Sequence, residues 1–559
     1  MNVPPRVQYG PPPSGGLLEQ ANIRQLSIAV TLLVLAGFSS LVFLLNLAPV
    51  YGALPPHIFH NYGAGLAAIC GYFLRVRFSR TSIRRAAYLL PVIACWIPTA
   101  QYFFLQGASV FGNPVGPLIT DLFVLYPLIV LTAGCVRELI QSALKLERYG
   151  ELVSDHAPFL GLYAVYSMGE RIANFFISHF LGSAVLFSRT GLQLLIGILY
   201  SVALPSKLLV LAIPSLLFSL SFNVHIPFSH SLSSLNSAIQ DEGFVLLARQ
   251  DSVTGYISVL DNLEEKYRVM RCDHSLLGGQ WIGLPNEHHS VKDPVYAVFT
   301  MMEAVRLVEN DQGQARPDAG SSALVIGLGA GTTPAALINH GIQTTIVEID
   351  PVVHRFATEY FHLPSNHIAV IEDATKFVRR HKSYNTVQYD YIIHDVFTGG
   401  AEPIELFTVE FFRDLDSLLK HDGVIAINYA GDISLYPAAL IVRTIQAVFP
   451  TCRIFREDIA TQENPNFTNM VVFCKKSTAT PLRFREPTDA DFFGSGIRET
   501  HLVPKHEIDA HQFQKIPEKG LPVLPAKRIE GLAHHRDRSA IAHWNIMRTV
   551  LPQHIWTYW

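Results

Sequence analysis

A glycine-rich segment in the C-terminal half of the chain is the first feature that could bind a small molecule. The apolar run at 323–326 leads into Gly327, Gly329 and Gly331, and a Thr-Thr-Pro sequence suited to the first turn of a helix follows. Glycines at the end of a strand let the backbone approach a ligand closely. Because the spacing is GxGxG and not the GxGxxG of dinucleotide-binding loops, it predicts that these glycines hold a nucleoside without a pyrophosphate.

Three carboxylates follow at what should be the ends of the next three strands. Glu348 lies 21 residues after Gly327, and Asp373 and Asp395 close the next two apolar runs. Ligands of open parallel sheets bind at the carboxyl ends of the strands, where an acid after the second strand commonly holds ribose hydroxyls. A carboxylate at Asp373 can accept a hydrogen bond from an adenine amino group. Any one of these acids could instead cap a helix, but their order predicts a nucleoside site at one edge of a sheet.

Residues 243–475 resemble the polyamine aminopropyltransferase (spermidine/spermine synthase) family, and the apolar N-terminal half resembles its membrane-fused members. The resemblance is carried by Asp395-Val-Phe-Thr-Gly-Gly and by the Leu-Phe-Thr sequence at 406–408, whose offset from the aspartate matches the family's catalytic loop without a gap. It implies that Glu348 binds the ribose, that Asp373 binds the adenine, and that Asp395 is the catalytic base. It also implies decarboxylated S-adenosylmethionine or S-adenosylmethionine as the co-substrate, and no metal.

Two acidic positions typical of that family are replaced in this chain. The family's glycine loop usually carries an acid that grips the aminopropyl amine, and Ala330 stands there. A second acid usually follows the catalytic aspartate, and Thr398 stands there. The family's tyrosine-then-polar pair is represented by Tyr296 followed by an alanine. The nucleoside end of the site is therefore kept and the polyamine end is altered, with Glu402 and Glu405 as hypothetical replacements for the missing acids.

The sequence predicts a membrane-anchored aminopropyltransferase of polyamine biosynthesis, which moves an aminopropyl group from decarboxylated S-adenosylmethionine to a small amine such as putrescine or spermidine. A neutral amine would attack the carbon beside the sulfonium while Asp395 takes its proton. Two alternatives stay open. One is an S-adenosylmethionine-dependent methyltransferase, which the replacement at Ala330 fits about as well. The other is a non-catalytic membrane scaffold or sensor with a relic nucleoside-binding fold, against which Asp395 argues.

These candidate residues require a sheet whose strands alternate with helices. From residue 321 the pattern alternates in this way, which predicts an α/β Rossmann-like domain of the methyltransferase type over 301–478, preceded by a small β domain of short antiparallel strands over 240–300. His394 directly precedes Asp395 on a strand, so the two side chains should point to opposite faces and His394 should pack. The predicted parallel strands are 323–327, 344–349, 368–372, 391–395 and 423–428, with a closing hairpin of 453–456 and 470–474.

The N-terminal half has a different composition. Of the 559 residues, 49% are hydrophobic and only 16% are charged, whereas soluble proteins carry about 25% charged residues. This excludes a purely soluble protein and predicts a flexible leader over 1–22 and a multi-span transmembrane helical region over 23–223. Several polar residues of this half indicate either a transport path or side chains that lie near loops or pack between helices, namely His57, His60, Asp121 and the neighbours Glu170 and Arg171. The predicted spans are 26–50, 57–74, 86–106 and 114–136, with weaker candidates at 157–182, 184–204 and 206–223.

The positions of the basic residues and of the cysteines predict the membrane orientation and the redox compartment of the chain. Arginines cluster between the second and third predicted spans, so this loop should face the cytoplasm, and with an even number of spans the catalytic domain should face it too. The six cysteines lie far apart and form no CxxC pair. We therefore expect a reducing compartment for the polar half.

The net charge of the chain limits the kinds of molecule that it can bind. A net charge of −3 provides no basic field for nucleic acid, which leaves the lipid bilayer and a small amine as expected partners and a homodimer as an open alternative.

The last part of the chain, residues 479–559, is rich in histidine and charge, which predicts a loosely structured polar C-terminal tail. His534 and His535 lie in this tail without the further ligands that a metal site needs.

Overall fold

The computed structural model describes residues 22–559 except for eight segments, and it divides the chain into two compact units. The first unit comprises Met1–Leu47 and Pro56–Ser231, and the second comprises Ala48–Pro55 and Leu232–Trp559. Most of the predicted leader lies outside the described residues, and so do Thr398 and Glu402 of the predicted catalytic loop. The segments not described are 74–79, 145, 147–149, 284–290, 385–386, 397–402, 458–466 and 516–519.

The first unit is helical, as its long apolar runs predict. The last residues of its first helix and most residues of its final helix belong to the second unit. The helices are α1 (Ile23–Tyr51), α2 (His57–Phe73), α3 (Arg80–Ala87), α4 (Leu90–Gln106), α5 (Ala108–Phe111), α6 (Val115–Thr120), α7 (Tyr126–Leu144), α8 (Glu151–Phe180), α9 (Arg189–Ala203), α10 (Ile213–Ser221) and α11 (Ser229–Gln240).

Two helices in the described part of the chain are long and apolar enough to cross a membrane. They are Ile23–Tyr51 and Val115–Leu144, of which the second joins α6 and α7 through a π-helical turn. A third span results if α3 and α4, which meet at a bend of 47°, are counted together, whereas α9 and α10 are apolar but shorter. The number of spans, the bilayer as a partner and the orientation of the catalytic domain stay predictions.

A buried hydrogen-bond network joins four polar side chains of the first unit. His60 Nδ1 lies 3.0 Å from Asp121 Oδ2, and His60 Nε2 lies 2.8 Å from Ser40 Oγ. The hydroxyl of Tyr126 donates to Asp121 Oδ2 over 3.3 Å. All four side chains are buried, and an unpaired polar group in such a place would cost free energy. The contacts favour the packing alternative for His60 and Asp121 over a transport path.

We expect Asp121→Ala to lower the unfolding free energy of the detergent-solubilised protein by about 3 kcal/mol, because it removes the buried acceptor of both His60 Nδ1 and the Tyr126 hydroxyl. The thermal unfolding midpoint measures the effect. Tyr62→Phe is the control, since Tyr62 lies on the same helix as His60 but is 82% exposed. Equal midpoints for both variants would contradict a role of the network in stability.

Two sheets form the second unit. Strands β1 (Phe244–Asp251), β2 (Tyr256–Asn262), β3 (Tyr267–Cys272) and β4 (Ser275–Trp281) form an antiparallel meander in chain order, which corresponds to the predicted small β domain. The larger sheet has eight strands in the order β12-β10-β11-β9-β8-β5-β6-β7. Its strands are β5 (Ser322–Ile326), β6 (Gln343–Glu348), β7 (Ile368–Ile371), β8 (Tyr389–His394), β9 (Leu419–Asp432), β10 (Thr451–Arg456), β11 (Phe467–Lys475) and β12 (His506–Ile508).

The larger sheet has the mixed topology of a Rossmann-like domain. Strands β5 to β9 pair in parallel, and β11, β10 and β12 continue the sheet in antiparallel pairs. Along β5 and its neighbours, alternate side chains enter two separate cores, so both faces of the sheet are covered. The helices are α12 (Ala297–Glu303), α13 (Thr332–Asn339), α14 (Pro351–Tyr360), α15 (Ala374–Tyr384), α16 (Val409–Leu418), α17 (Tyr436–Gln446), α18 (Asp489–Phe492), α19 (Gly496–His501), α20 (Ala533–Met547) and α21 (Gln553–Thr557).

The C-terminal segment is ordered, which differs from the loosely structured tail that the sequence predicts. Strand β12 extends the edge of the larger sheet, and α20 and α21 follow it. Trp544, Trp556 and Trp559 are all at most 3% exposed. Each aromatic side chain buries a large apolar area, so a few of them hold the segment in place although its apolar residues are sparse.

Cys452 and Cys474 are partners in the register of β10 and β11, and they form a disulfide bond. Structural disulfides persist in oxidising compartments, so this bond does not fit the reducing compartment that the sequence predicts for this half. We expect peptide mapping without reductant to yield one cross-linked peptide that contains both cysteines and that separates on reduction. Recovery of the two peptides individually alkylated, before reduction, would contradict the bond.

Candidate active site

The glycine loop brings the backbone of β5 against its neighbours. Gly327 has φ +84° and Gly329 has φ +53°. A Cβ atom on Gly327 would overlap the carbonyl oxygen of Asp395, and one on Gly329 would overlap the carbonyl oxygen of Leu277. Only glycine tolerates both the positive φ and the close approach at these two positions. The third predicted glycine, Gly331, instead precedes the first turn of α13 as its N-cap.

Glu348 closes β6 and ties that strand end to the glycine loop. Its Oε2 accepts a hydrogen bond from the backbone N–H of Leu328 over 2.9 Å, and its Oε1 accepts from the N–H of Asp350 over 2.8 Å. Burial raises the pKa of Glu348 to about 7. The carboxylate thus lies between the loop and the end of β6, where a ribose would be bound.

Asp350, two residues later, connects the Rossmann-like sheet to the antiparallel sheet. Its Oδ1 accepts from Ser252 Oγ over 2.6 Å and from the N–H of Val352 over 2.8 Å. Its Oδ2 accepts from Thr254 Oγ1 over 2.6 Å. Asp350 is therefore the N-cap of α14 and a structural link that positions the turn after Glu348.

Asp373 follows β7 and caps α15. Its Oδ1 accepts from both the N–H and the hydroxyl of Thr375, each over 2.7 Å. In the described part of the chain no hydrogen bond reaches Asp373 Oδ2, so this oxygen can serve an adenine amino group. The cap and the predicted ligand contact are compatible because they use different oxygens.

Asp395 lies directly after β8 and faces an amide that the sequence analysis did not select. Its Oδ1 accepts from Asn428 Nδ2 over 2.9 Å, and burial raises the pKa of Asp395 to about 6. Asn428 Oδ1 is buried and has no hydrogen-bond partner among the described residues. A buried acceptor of this kind requires a donor, which a bound amine would supply. Asn428 could have been found from the sequence, since it ends the fifth predicted strand.

His394 is a packing residue, as predicted. Its ring is buried against Phe407 with 4.9 Å between the ring centroids, and its Nε2 lies 3.0 Å from the carbonyl oxygen of Leu406. Burial lowers the pKa of His394 to about 4, so the imidazole is neutral near pH 7. Asp395 is therefore the candidate proton acceptor at this strand end.

One cavity of about 550 Å³ collects the candidate residues at the carboxyl ends of the parallel strands. Glu348, Asp373 and Asp395 line it together with Gly327 and Gly329, and Glu405 does so as well. Gly331 does not belong to the lining. The C-terminal helix α20 closes part of the cavity, a contribution that the sequence analysis missed; its lining residues are His543, Ile546 and Met547, followed by Val550.

Metal binding receives no support from the described residues. No group of three or more histidine, cysteine, aspartate or glutamate side chains there could hold an ion. His535 instead lies near Tyr436, with 6.0 Å between the ring centroids.

The C-terminal part of the chain is similar to spermidine synthases. Residues 313–481 match the spermine/spermidine synthase domain family. A polyamine aminopropyltransferase of Vibrio vulnificus is 36% identical over 117 residues, which is 20% of this chain and 39% of that enzyme. The structure of a probable spermidine synthase from Corynebacterium glutamicum aligns with 16% sequence identity and a TM-score of 0.37, over 48% of this chain and 92% of that chain. The predicted resemblance is thus confirmed for one domain.

A full-length relative corrects the functional prediction. The N-terminal histidine N-methyltransferase of Emericella nidulans is 57% identical over 556 residues, which is 98% of this chain and 100% of that protein. This similarity to a methyltransferase extends over nearly the whole chain, whereas the aminopropyltransferase match covers a fifth of it, so the predicted aminopropyl transfer is wrong. The predicted transferase class is confirmed, and so is the co-substrate class of S-adenosylmethionine or its decarboxylated form. The chain belongs to the family of the N-terminal histidine N-methyltransferase of Emericella nidulans.

Proposed function

We propose that this protein transfers a methyl group from S-adenosylmethionine to a nitrogen of an N-terminal histidine in a polypeptide. The observation that carries the proposal is the full-length similarity to a protein of that activity. The cavity also supports the proposal. It combines carboxylates that can bind a nucleoside with two acceptors, Asp395 and Asn428, that can bind a nitrogen carrying a proton.

The replacement at Ala330 supports S-adenosylmethionine as the methyl donor. S-adenosylmethionine keeps the carboxylate that its decarboxylated form lacks, and an acid in the glycine loop would repel that carboxylate. Ala330 carries no charge, and its N–H donates to the carbonyl oxygen of Leu277 over 3.2 Å. Glu348 would hold the ribose, Asp373 the adenine, and the backbone at Gly327 and Gly329 the adjoining part of the nucleoside. When bound, this co-substrate supplies an electrophilic methyl carbon on a sulfonium, which becomes bonded to nitrogen as its bond to sulfur breaks.

Asp395 and Asn428 would hold and deprotonate the accepting nitrogen. Both kinds of nitrogen in an N-terminal histidine are partly or mostly neutral near pH 7, because the pKa is about 7.7–8.0 for an α-amine and about 6.5 for an imidazole, far below the value of about 10.4 for a lysine amine. The buried Oδ1 of Asn428 would accept one N–H and orient the nitrogen. The carboxylate of Asp395 would take the proton that the nitrogen loses on methylation and release it to water.

A direct assay tests this proposal. Full-length protein in detergent is incubated with labelled S-adenosylmethionine and a peptide that begins with histidine, and the product is sequenced by mass spectrometry. We expect methylation of the N-terminal histidine and none when alanine replaces that histidine in the same peptide. Absence of methylation on the histidine peptide, or equal methylation of the alanine peptide, would contradict the proposal.

Nucleoside binding should depend on pH through Glu348. Burial raises the pKa of Glu348 to about 7, so the side chain is mostly protonated at pH 6 and mostly ionised at pH 8. Only the ionised form can accept from two ribose hydroxyls, and we therefore expect the affinity for S-adenosylhomocysteine to rise about tenfold over this range. Calorimetric titration measures it, and Glu348→Gln should remove the dependence. The same affinity at pH 6 and pH 8 in the unmodified protein would contradict the role of Glu348.

A further inference from the structure

The carboxyl-terminal end of α1 belongs to the second unit, although α1 is one of the helices long and apolar enough to cross a membrane. We propose that this end, residues 48–51, is required for binding the S-adenosyl co-substrate, because it holds α20 against the cavity through Trp544 and Arg271. Both are positioning residues, since neither lines the cavity. The inference rests on the proposed function and concerns how the co-substrate site is assembled.

Helix α20 forms the wall of the cavity close to the place where β4 meets the glycine loop. His543 of α20 lines the cavity, and its Nε2 lies 3.1 Å from the hydroxyl of Ser275 at the start of β4. Two residues later on β4, the carbonyl oxygen of Leu277 accepts from the N–H of Ala330 in the glycine loop over 3.2 Å. The position of α20 therefore sets the width of the cavity on the side where the nucleoside would bind.

The indole of Trp544 attaches α20 to the end of α1. Its Nε1 donates to the carbonyl oxygen of Val50 over 2.8 Å, and its ring stacks on Tyr51 with 6.4 Å between the centroids. Val50 lies in the last turn of α1, where carbonyl oxygens lack a partner within the helix. All three residues are buried, so the bond between Trp544 and Val50 is shielded from water. Because Trp544 directly follows His543, a shift of the indole also moves the cavity lining.

Arg271 of β3 binds the same end of α1 to the helix that follows α20. Its buried guanidinium donates to the carbonyl oxygen of Pro49 over 2.6 Å and to that of Ile555 in α21 over 2.5 Å. It also donates to the carbonyl oxygen of Trp556 over 3.2 Å and lies 4.8 Å from the centre of that ring. Arginine presents several donors in one rigid plane, so a single side chain fixes both segments.

Few other contacts hold α20 in place. Six of its 15 residues are charged or histidine, and its described buried side chains form the narrow stripe Ala540, Trp544 and Met547. If the link to α1 were loosened, the wall would shift and the nucleoside would bind more weakly. Asp395 and Asn428 lie at the ends of other strands and would keep their hydrogen bond, so the chemical step would be spared.

Trp544→Phe in the full-length protein in detergent tests the link. The variant keeps an aromatic ring but lacks the N–H that reaches Val50, and we expect the Kd for S-adenosylhomocysteine to rise about tenfold. The KM for S-adenosylmethionine should rise by a similar factor, whereas kcat at a saturating concentration and the KM for a histidine peptide should change less than about twofold. Calorimetry and steady-state kinetics measure these quantities, and an unchanged Kd overturns the inference.

Trp96→Phe is the matched control. Trp96 Nε1 also donates to a backbone carbonyl oxygen, that of Leu211 over 3.0 Å, but both residues belong to the first unit. We expect its Kd for S-adenosylhomocysteine to equal that of the unmodified protein. An equal loss of affinity in both tryptophan variants overturns the inference, because the effect would then not be specific to the end of α1.

Hydrogen exchange on the unmodified protein tests the same link without a substitution, and it decides if Trp544→Phe does not fold. At saturating S-adenosylhomocysteine we expect the amides of α20 and of residues 48–55 to exchange about tenfold or more slowly than without ligand. Unchanged exchange in either segment overturns the inference. If the unmodified protein binds S-adenosylhomocysteine and shows this protection but methylates no histidine peptide, the proposed function is wrong and the inference stands.

Discussion

Asp395→Asn should lower kcat for methylation of a histidine peptide by about 100-fold or more, because an amide cannot take the proton that the amine loses. The substitution keeps the shape of the side chain, and its oxygen can still accept the hydrogen bond from Asn428 Nδ2. We therefore expect the affinity for S-adenosylhomocysteine to stay within about twofold of the unmodified value. Steady-state kinetics and calorimetry measure the two quantities on the same preparation.

The control for this variant is Asp414→Asn, which also replaces an aspartate by its amide. Asp414 accepts from Lys382 Nζ over 2.5 Å in a solvent-accessible ion pair on α16, outside the cavity lining. Such exposed pairs contribute little, so kcat should be unchanged. If Asp395→Asn kept full turnover, the assignment of Asp395 as proton acceptor would be wrong; if it lost nucleoside affinity as well, the residue would serve binding rather than proton transfer.

Gly327→Ala should abolish measurable nucleoside binding, with a loss of affinity of about 100-fold or more. The added Cβ would overlap the carbonyl oxygen of Asp395 at a residue with φ +84°, so the loop would have to move away from the end of β8. The displacement would separate the loop from both Glu348 and Asp395. Calorimetric titration with S-adenosylhomocysteine checks this expectation.

Gly341→Ala is the matched control for the loop variant. Gly341 has the same φ of +84°, but nothing lies within 4 Å of the Cβ that alanine would add. We expect this variant to lose about 1 kcal/mol of stability from the left-handed conformation and to bind the nucleoside normally. Equal losses of affinity in the two variants would show that backbone strain, and not the overlap with Asp395, is responsible.

The site residues that the sequence singles out do not distinguish aminopropyl from methyl transfer. The sequence features shared with spermidine synthases are the glycine loop and the acids at Glu348, Asp373 and Asp395, and these concern the nucleoside and the proton. The replacement at Ala330 left both donors open because one alanine has no chemistry of its own. The decision came from a relative that matches the whole chain.

Several features of the site were within reach of the sequence. The apolar runs that predict the parallel strands correspond to β5, β6, β7, β8 and β9, and the acids after three of them lie in one cavity. The packing role of His394 followed from its alternation with Asp395. These expectations hold because strand periodicity and strand ends are local properties of a chain.

Other features depend on contacts between distant segments. The amide of Asn428 faces Asp395 only because β9 runs parallel to β8 in one register, and the bond between Cys452 and Cys474 depends on the register of β10 with β11. The wall formed by α20 depends on a few buried tryptophans in a segment without apolar periodicity.

Composition and local pattern alone thus predicted an apolar helical half, a Rossmann-like transferase domain and a nucleoside site with three carboxylates. The hydrogen bond between Asn428 and Asp395, the disulfide and the C-terminal wall of the cavity emerged only with the folded chain. The physical reason is that strand order and register bring together side chains whose separation along the sequence carries no trace of their contact.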